Sequence, residues 1–302
     1  MERFATVDVG SNSVLLLVAE RKEGGFRYLV DKAVVTRLGE GLYRNRKIKP
    51  EAMERTVGAL KRFRGIIEGC RVKGMAAVGT MALREAENAE EFLERAKKEA
   101  GLTIEVIPAE EEARLSYLGA ISGLPLFRKR VFVVDIGGGS TEFVLGEGSR
   151  ILERSSLKVG ALTLTETFLR SDPVQAEEFS DLSGYLKEAF DRAGLPAGGG
   201  DLVGLGGNIA TMAAVKLLLT DFDPSRVHGA SLELSDVKKQ IDLYLSRTIE
   251  ERKKIPGLDP MRADTILAGA AILHTVMERL RRDSITVSTH GLRHGLLLER
   301  FG

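Results

Sequence analysis

Asp135 is followed by Gly137, Gly138, Gly139 and Ser140, and the run is flanked by β-branched and aromatic residues at 131–134 and 143–145. This pattern predicts a strand, a tight turn and a returning strand. Three glycines let the main chain take positive φ and approach a ligand closely, while Ser140 and Thr141 add hydroxyls to the exposed N–H groups. Phosphate suits such a turn. Asp135, at the strand's end, is then placed to hold a divalent cation, or a water bound to one, beside that phosphate. Glycine turns are common in ordinary hairpins, so a second copy carries more weight. Asp8, Gly10 and Ser13 align with Asp135, Gly137 and Ser140 at a shift of 127 positions. A period of half the chain points to a duplicated domain and not to a solenoid, whose unit is about 20–50 residues. Two similar lobes are expected to face a central cleft.

The elements that must hold these residues follow from periodicity. Residues 26–36 supply a third strand after a Gly24-Gly25 turn. Pro50 suits a first helical turn, and Met53, Val57, Leu60, Phe63 and Ile67 then recur on one helical face. A strand over 72–80 ends in Gly79-Thr80, with Arg84 just beyond, and a helix at 87–99 and a strand at 103–107 come next. Pro108 then introduces a helix with an acidic start, which completes the order βββαβαβα. After a joint at 124–130, with its basic run Arg128-Lys129-Arg130, the same order recurs. Its members are strands at 131–145 and 150–159, helices at 161–169 and 174–193 ended by Gly198-Gly199-Gly200, and a strand at 202–205. Gly206-Gly207-Asn208 opens a helix whose backbone N–H groups point at an anion, making this turn the counterpart of Thr80. Extra material near 221–260 holds a short strand at 230–234 and a helix capped by Ser235 and running to Thr248. A helix at 262–281, a strand at 284–288 and a helix at 291–300 finish the chain. The predicted lobes are 1–124, rejoined by the helix at 291–302, and 125–290.

Within the acidic start, carboxylates at Glu110 and Glu111 complement a helix dipole. A carboxylate at Glu112 could also serve as general base for a water attacking phosphorus, but periodicity does not choose it over its neighbours. His290 and His294 are four apart, as metal ligands on a helix often are, with no third ligand evident.

At 302 residues with 43% hydrophobic composition, each lobe can bury its own core. Lys+Arg of 44 against Asp+Glu of 43 gives a net charge of +1, so no global field draws in a nucleic-acid polymer or an anionic membrane. The single cysteine, Cys70, excludes an intramolecular disulfide framework and fits a reducing compartment. The longest early apolar run, 14–19, is too short to span a bilayer, and a cytoplasmic location is expected.

Taken together, the ordered motifs resemble those of the exopolyphosphatase/guanosine pentaphosphate phosphatase family, within the actin-like ATPase fold. They are the runs 8–13, Thr80 to Asn88, Glu111 to Leu115, Asp135 to Glu142, Gly257 to Asp264 and Ser288 to Leu296. The resemblance implies an α/β fold of two lobes and a phosphohydrolase that releases terminal orthophosphate from inorganic polyphosphate or guanosine pentaphosphate. It implies Glu112 as the catalytic glutamate, Asp135 and Asp8 as magnesium-linked carboxylates, and Arg84 as a phosphate-binding arginine. Ser11, Asn12, Ser13, Gly137, Gly138, Gly139 and Ser140 match the phosphate loops, and Thr80 and Gly207 are the further phosphate positions. Pro108-Ala109 stands where the family usually has Ser or Thr before Gly, and Asn208 where Thr is common. The chain's length matches the family's short form. An ATP-dependent kinase of the same fold and a non-catalytic binder of guanosine tetraphosphate or polyphosphate are the rival readings. Assembly as a homodimer is left open.

Overall fold

The computed structural model describes residues 2–126, 129–194 and 199–302. Arg128 in the expected joint and Gly198 in the glycine run lie outside the described residues. The chain divides into two compact units, Met1–Gly119 with Leu292–Gly302, and Ala120–Gly291.

In the first unit β1 (Arg3–Val9), β2 (Ser13–Lys22) and β3 (Gly25–Val35) form an antiparallel meander. The helices α1 (Leu42–Asn45) and α2 (Pro50–Gly69) follow. Pro50 opens α2, where its missing N–H has no helical partner to lose. Met53, Val57, Leu60, Phe63 and Ile67 are all buried, so the face read from spacing is the one that packs on the sheet. Each such side chain contributes about 1.5–3 kcal/mol of transfer free energy. Next come β4 (Gly74–Gly79), α3 (Met81–Glu85), α4 (Ala89–Ala100), β5 (Glu105–Val106) and α5 (Ala109–Ile121). The sheet order is β3-β2-β1-β4-β5, with β4 and β5 joined in parallel.

The second unit repeats the plan with β6 (Arg130–Ile136), β7 (Thr141–Glu147), β8 (Arg150–Leu157), α6 (Ala161–Phe168) and α7 (Ala176–Ala193). Then follow β9 (Asp201–Leu205), α8 (Gly207–Lys216), α9 (Pro224–Val227), β10 (Ser231–Glu233), α10 (Leu234–Leu245) and α11 (Ile249–Arg252). A 3-10 turn at Pro260–Arg262, α12 (Ile266–Arg279) and β11 (Ser284–Val287) complete it. Its order is β10-β11-β9-β6-β7-β8, so the short strand of the extra segment extends the sheet at one edge. The repeat extends to register. Asp8 pairs with Val78 across β1 and β4, and Asp135 with Leu205 across β6 and β9, residues related by the same shift as the two aspartates.

The final helix, α13 (Leu292–Phe301), belongs to the first unit, where Leu292 and Leu296 pack with Val78, Ile107 and Leu115. Gly295 makes this possible. A Cβ there would stand 1.9 Å from the Leu115 carbonyl oxygen, so α13 and α5 are in backbone contact. Arg293 adds a bidentate ion pair to Asp31 on β3, at 2.9 Å for each bond.

Local chemistry moved several boundaries. Glu233, not Ser235, caps α10, with Asp236 accepting from the Glu233 N–H at 3.0 Å. Thr248 lies beyond that helix and caps α11 instead. The helix expected over 262–281 begins at Ile266, because Asp259 accepts from the Met261 N–H at 3.0 Å and holds Pro260–Arg262 as a separate turn. The strand expected over 103–107 pairs only at Glu105–Val106.

Candidate functional site

The first hairpin turn closes on itself, with the Gly10 N–H donating to the Ser13 carbonyl at 3.0 Å. Ser11, Asn12 and Ser13 are buried, and the Ser11 hydroxyl donates to Met81 Sδ at 3.5 Å. Asn12 Oδ1 is buried with no hydrogen-bond partner among the described residues, an arrangement that calls for a ligand or water. Asp8, half-buried, ends β1 beside this turn.

Thr80 joins the turn to the next element. Its N–H donates to the Val9 carbonyl at 3.2 Å, and its own carbonyl accepts from the Leu83 and Arg84 N–H groups as α3 begins. Arg84 therefore stands one helical turn from Thr80. Its Nη1 donates to the Ile107 carbonyl at 2.9 Å and to Glu112 Oε2 at 2.7 Å, both side chains being largely buried. Geometry separates the three glutamates. Glu110 is exposed, and Glu111 accepts both bonds of a bidentate pair from Arg114, at 2.7 and 2.8 Å. That pairing raises the Arg114 pKa above its ordinary value. Glu112 alone of the triplet meets Arg84.

In the second hairpin the Gly137 N–H donates to the Ser140 carbonyl at 2.9 Å, the closure seen in the first. The glycines are not required by positive φ, since Gly137, Gly138 and Gly139 are not among the residues that adopt it. Close approach requires them. A Cβ on Gly137 would come within 3.1 Å of the Ser140 carbonyl oxygen. One on Gly160 would stand 2.4 Å from the backbone of Gly138 and Gly139. The carbonyls of Gly137 and Gly138 accept from the first N–H groups of α6, at 2.9–3.1 Å. Thr141 departs from expectation, because its hydroxyl is buried and donates to the Val159 carbonyl at 2.6 Å, leaving Ser140 as the hydroxyl at the turn.

Asp135 sits directly opposite Glu142 across β6 and β7, so both carboxylates share one face of the sheet. Glu142 is buried and accepts from the Ser156 hydroxyl at 3.0 Å. Its strand position places it beside Asp135, a pairing that hairpin register across the glycine turn could have exposed in the sequence. Two hard oxygen donors on adjacent strands fit Mg2+, which is held by one or two carboxylates and completes its shell with water and substrate oxygens.

At the third turn Gly206 has φ 103 and Gly207 starts α8. The Arg262 guanidinium lies over Gly207, where a Cβ would be 2.1 Å from Cζ. Burial pushes the Arg262 pKa down. Asn208 is buried against Gly269, and its Oδ1 has no partner among the described residues. The two histidines read as four apart do not share a helix face. His290 precedes α13 and stacks on His228 at 4.1 Å, whose imidazole burial pushes down in pKa, while His294 is buried with Asp31 3.8 Å from Nε2. Among the described residues no three His, Cys, Asp or Glu converge as a metal cluster. No helix among them is long and apolar enough to cross a membrane.

The family model described as Ppx/GppA phosphatase family matches residues 17–302. Exopolyphosphatase 2 of Mycobacterium tuberculosis is 31% identical, over 100% of this chain and 99% of its own length. A guanosine-5'-triphosphate,3'-diphosphate pyrophosphatase of Photobacterium profundum is 31% identical over 98% of this chain. Several curated relatives are longer, the chain spanning 46% of one and 59% of another. A solved structure of the Aquifex aeolicus PPX-GPPA enzyme is 38% identical, covers 99% of each chain and superposes with a TM-score of 0.82.

Proposed function

This chain belongs to the Ppx/GppA phosphatase family, and on that premise we propose that it releases terminal orthophosphate from inorganic polyphosphate, with Glu112 as general base. The observation that carries the reading is the 2.7 Å pair of Arg84 with Glu112. A helix, α4, and a short strand, β5, separate them in the chain, yet Glu112 meets the arginine whose own N–H is bonded to Thr80. Polyphosphate comes first because the relative matched from end to end is named an exopolyphosphatase. Guanosine pentaphosphate is the second substrate, favoured by the likeness to the pyrophosphatase.

In the first unit the Ser11, Asn12 and Ser13 turn and Thr80 receive phosphate oxygens, and Arg84 neutralises charge on the phosphoryl group being transferred. Glu112 orients a water and takes its proton as the new bond to phosphorus forms and the anhydride bond breaks. In the second unit the Gly137, Gly138, Gly139 and Ser140 turn and Gly207 offer further backbone N–H groups. Asp135 and Glu142, opposite each other on β6 and β7, are the carboxylates that would hold a divalent cation, and Asp8 is their counterpart in the first unit; a bound cation would supply charge neutralisation at phosphate oxygens. Phosphate release from polyphosphate, guanosine pentaphosphate and ATP, with and without Mg2+, tests this. Glu112→Gln is expected to lower kcat by about 100- to 10,000-fold with an unchanged unfolding midpoint. A wild-type rate in that variant overturns the role of Glu112, and transfer to an acceptor without hydrolysis overturns the reaction class.

A further inference from the structure

Between β3 and α2 the chain carries five cations, Arg37, Arg44, Arg46, Lys47 and Lys49, against one carboxylate, Glu40. Glu40 is already engaged by Lys49 at 2.9 Å and Arg55 at 2.8 Å. Lys49 foremost holds that carboxyl below its ordinary pKa. Outside the loop, Glu87 stands 3.5 Å from Arg46, both well exposed, a pairing that contributes little in water.

This loop is strapped to the phosphate site at both ends. At its start the Thr36 and Arg37 N–H groups donate to the Asn12 carbonyl at 2.9 Å, and the Gly39 N–H to the Ser11 carbonyl at 2.8 Å. At its far end the Glu87 N–H donates to the Arg46 carbonyl at 2.9 Å. Asn88 exchanges two bonds with the Ile48 backbone, at 2.8 and 3.0 Å. Residues 87 and 88 come just after Ala86, the C-cap of α3, the helix that carries Arg84. Between the straps, Leu42 and Ile48 are buried as pegs, so Tyr43, Arg44, Arg46 and Lys47 face solvent. Arg37 and Arg46 hold φ of 52 and 51, a conformation that disfavours residues other than glycine.

We propose that this loop forms a cationic track that holds the distal phosphates of an inorganic polyphosphate chain and sets the chain length the protein prefers. The proposal rests on the phosphohydrolase reading above and names the part of its substrate that the reacting phosphate does not use. A rigid row of cations beside a reactive site raises the affinity of a long polyanion over a short one, and that gain weakens with salt.

The test compares wild type with the triple variant R44Q/R46Q/K47Q, on tripolyphosphate and on long-chain polyphosphate at two salt concentrations. The control, R192Q/K238Q/K239Q, removes equal charge from exposed positions on α7 and α10 of the second unit. With the triple variant kcat/KM on the long chain is expected to fall about tenfold, carried by KM and with a weaker salt dependence, while tripolyphosphate changes less than about twofold. The control changes neither. Equal loss on both lengths, or none on the long chain, overturns the track. Should the wild type release no phosphate from any polyphosphate, the hydrolase reading fails by itself. Calorimetric binding of long-chain polyphosphate to wild type and triple variant then still decides the track, and equal affinity overturns it. Tighter binding of single-stranded RNA than of polyphosphate also overturns it.

Discussion

The two glycine hairpins share a backbone and differ in almost everything attached to it. Each closes by a bond from the first glycine N–H to a serine carbonyl three residues on, at 3.0 and 2.9 Å. Each follows an aspartate at the same register against its parallel neighbour. Opposite Asp8, however, stands Leu15, and opposite Asp135 stands Glu142. The segment that returns after the third strand also differs. In the first unit it is the basic loop hydrogen-bonded to Ser11 and Asn12, and in the second it is α6, which has no basic residue. Duplication preserved the closed turn, because that depends on main chain, and let the side chains diverge. In the proposed reading the first half supplies the arginine and the base, and the second the opposed pair of carboxylates.

That division can be broken by substitution. The largest expected effect is on Asp135→Asn, which should lower kcat about 1,000-fold if it removes several kcal/mol of charge stabilisation. Asp8→Asn, lacking an opposed carboxylate, should cost about tenfold by the same conversion. Steady-state kinetics at saturating Mg2+ distinguishes the two, and a larger loss at Asp8 would reverse the assignment of roles. Next in size, Glu142→Gln should raise the Mg2+ concentration for half-maximal activity about tenfold with kcat largely restored at high Mg2+. An unchanged Mg2+ titration would make Glu142 a packing residue. Smallest are the closures themselves. Gly160→Ala forces a methyl against the backbone of Gly138 and Gly139, and a loss of about 1–3 kcal/mol is expected in urea unfolding. Gly39→Ala meets Ser11, its Cβ at 3.0 Å and its carbonyl oxygen at 3.4 Å, and should cost less than about 1 kcal/mol. Equal costs would mean that both turns are closed with the same tightness.

Much of the fold was readable before any coordinates. The face of α2 was visible because Met53, Val57, Leu60, Phe63 and Ile67 recur at helical spacing, and they are the residues that are buried. The end of the chain was less legible. Asp259 and Glu233 act as caps through side-chain contacts that compete with equally plausible neighbours, so these helix starts shifted by two and four residues. The candidate residues were legible as types and not as partners. Nothing in the acidic run distinguishes Glu111 from Glu112 until one is seen to face Arg114 and the other Arg84.

The sequence by itself determined the duplicated α/β plan and the location of the two turns. Both are local properties: a strand–glycine–strand run closes its own hydrogen bond within four residues, and apolar periodicity selects a face without reference to anything distant. Tertiary structure alone decided which glutamate meets Arg84, that the Arg262 guanidinium covers Gly207, and that a basic loop is fastened between Ser11–Asn12 and the residues following α3. These depend on strands far apart in the chain lying side by side, and the free energy that brings them together comes from burying the apolar faces of the sheet and its helices, not from the polar groups that are thereby juxtaposed.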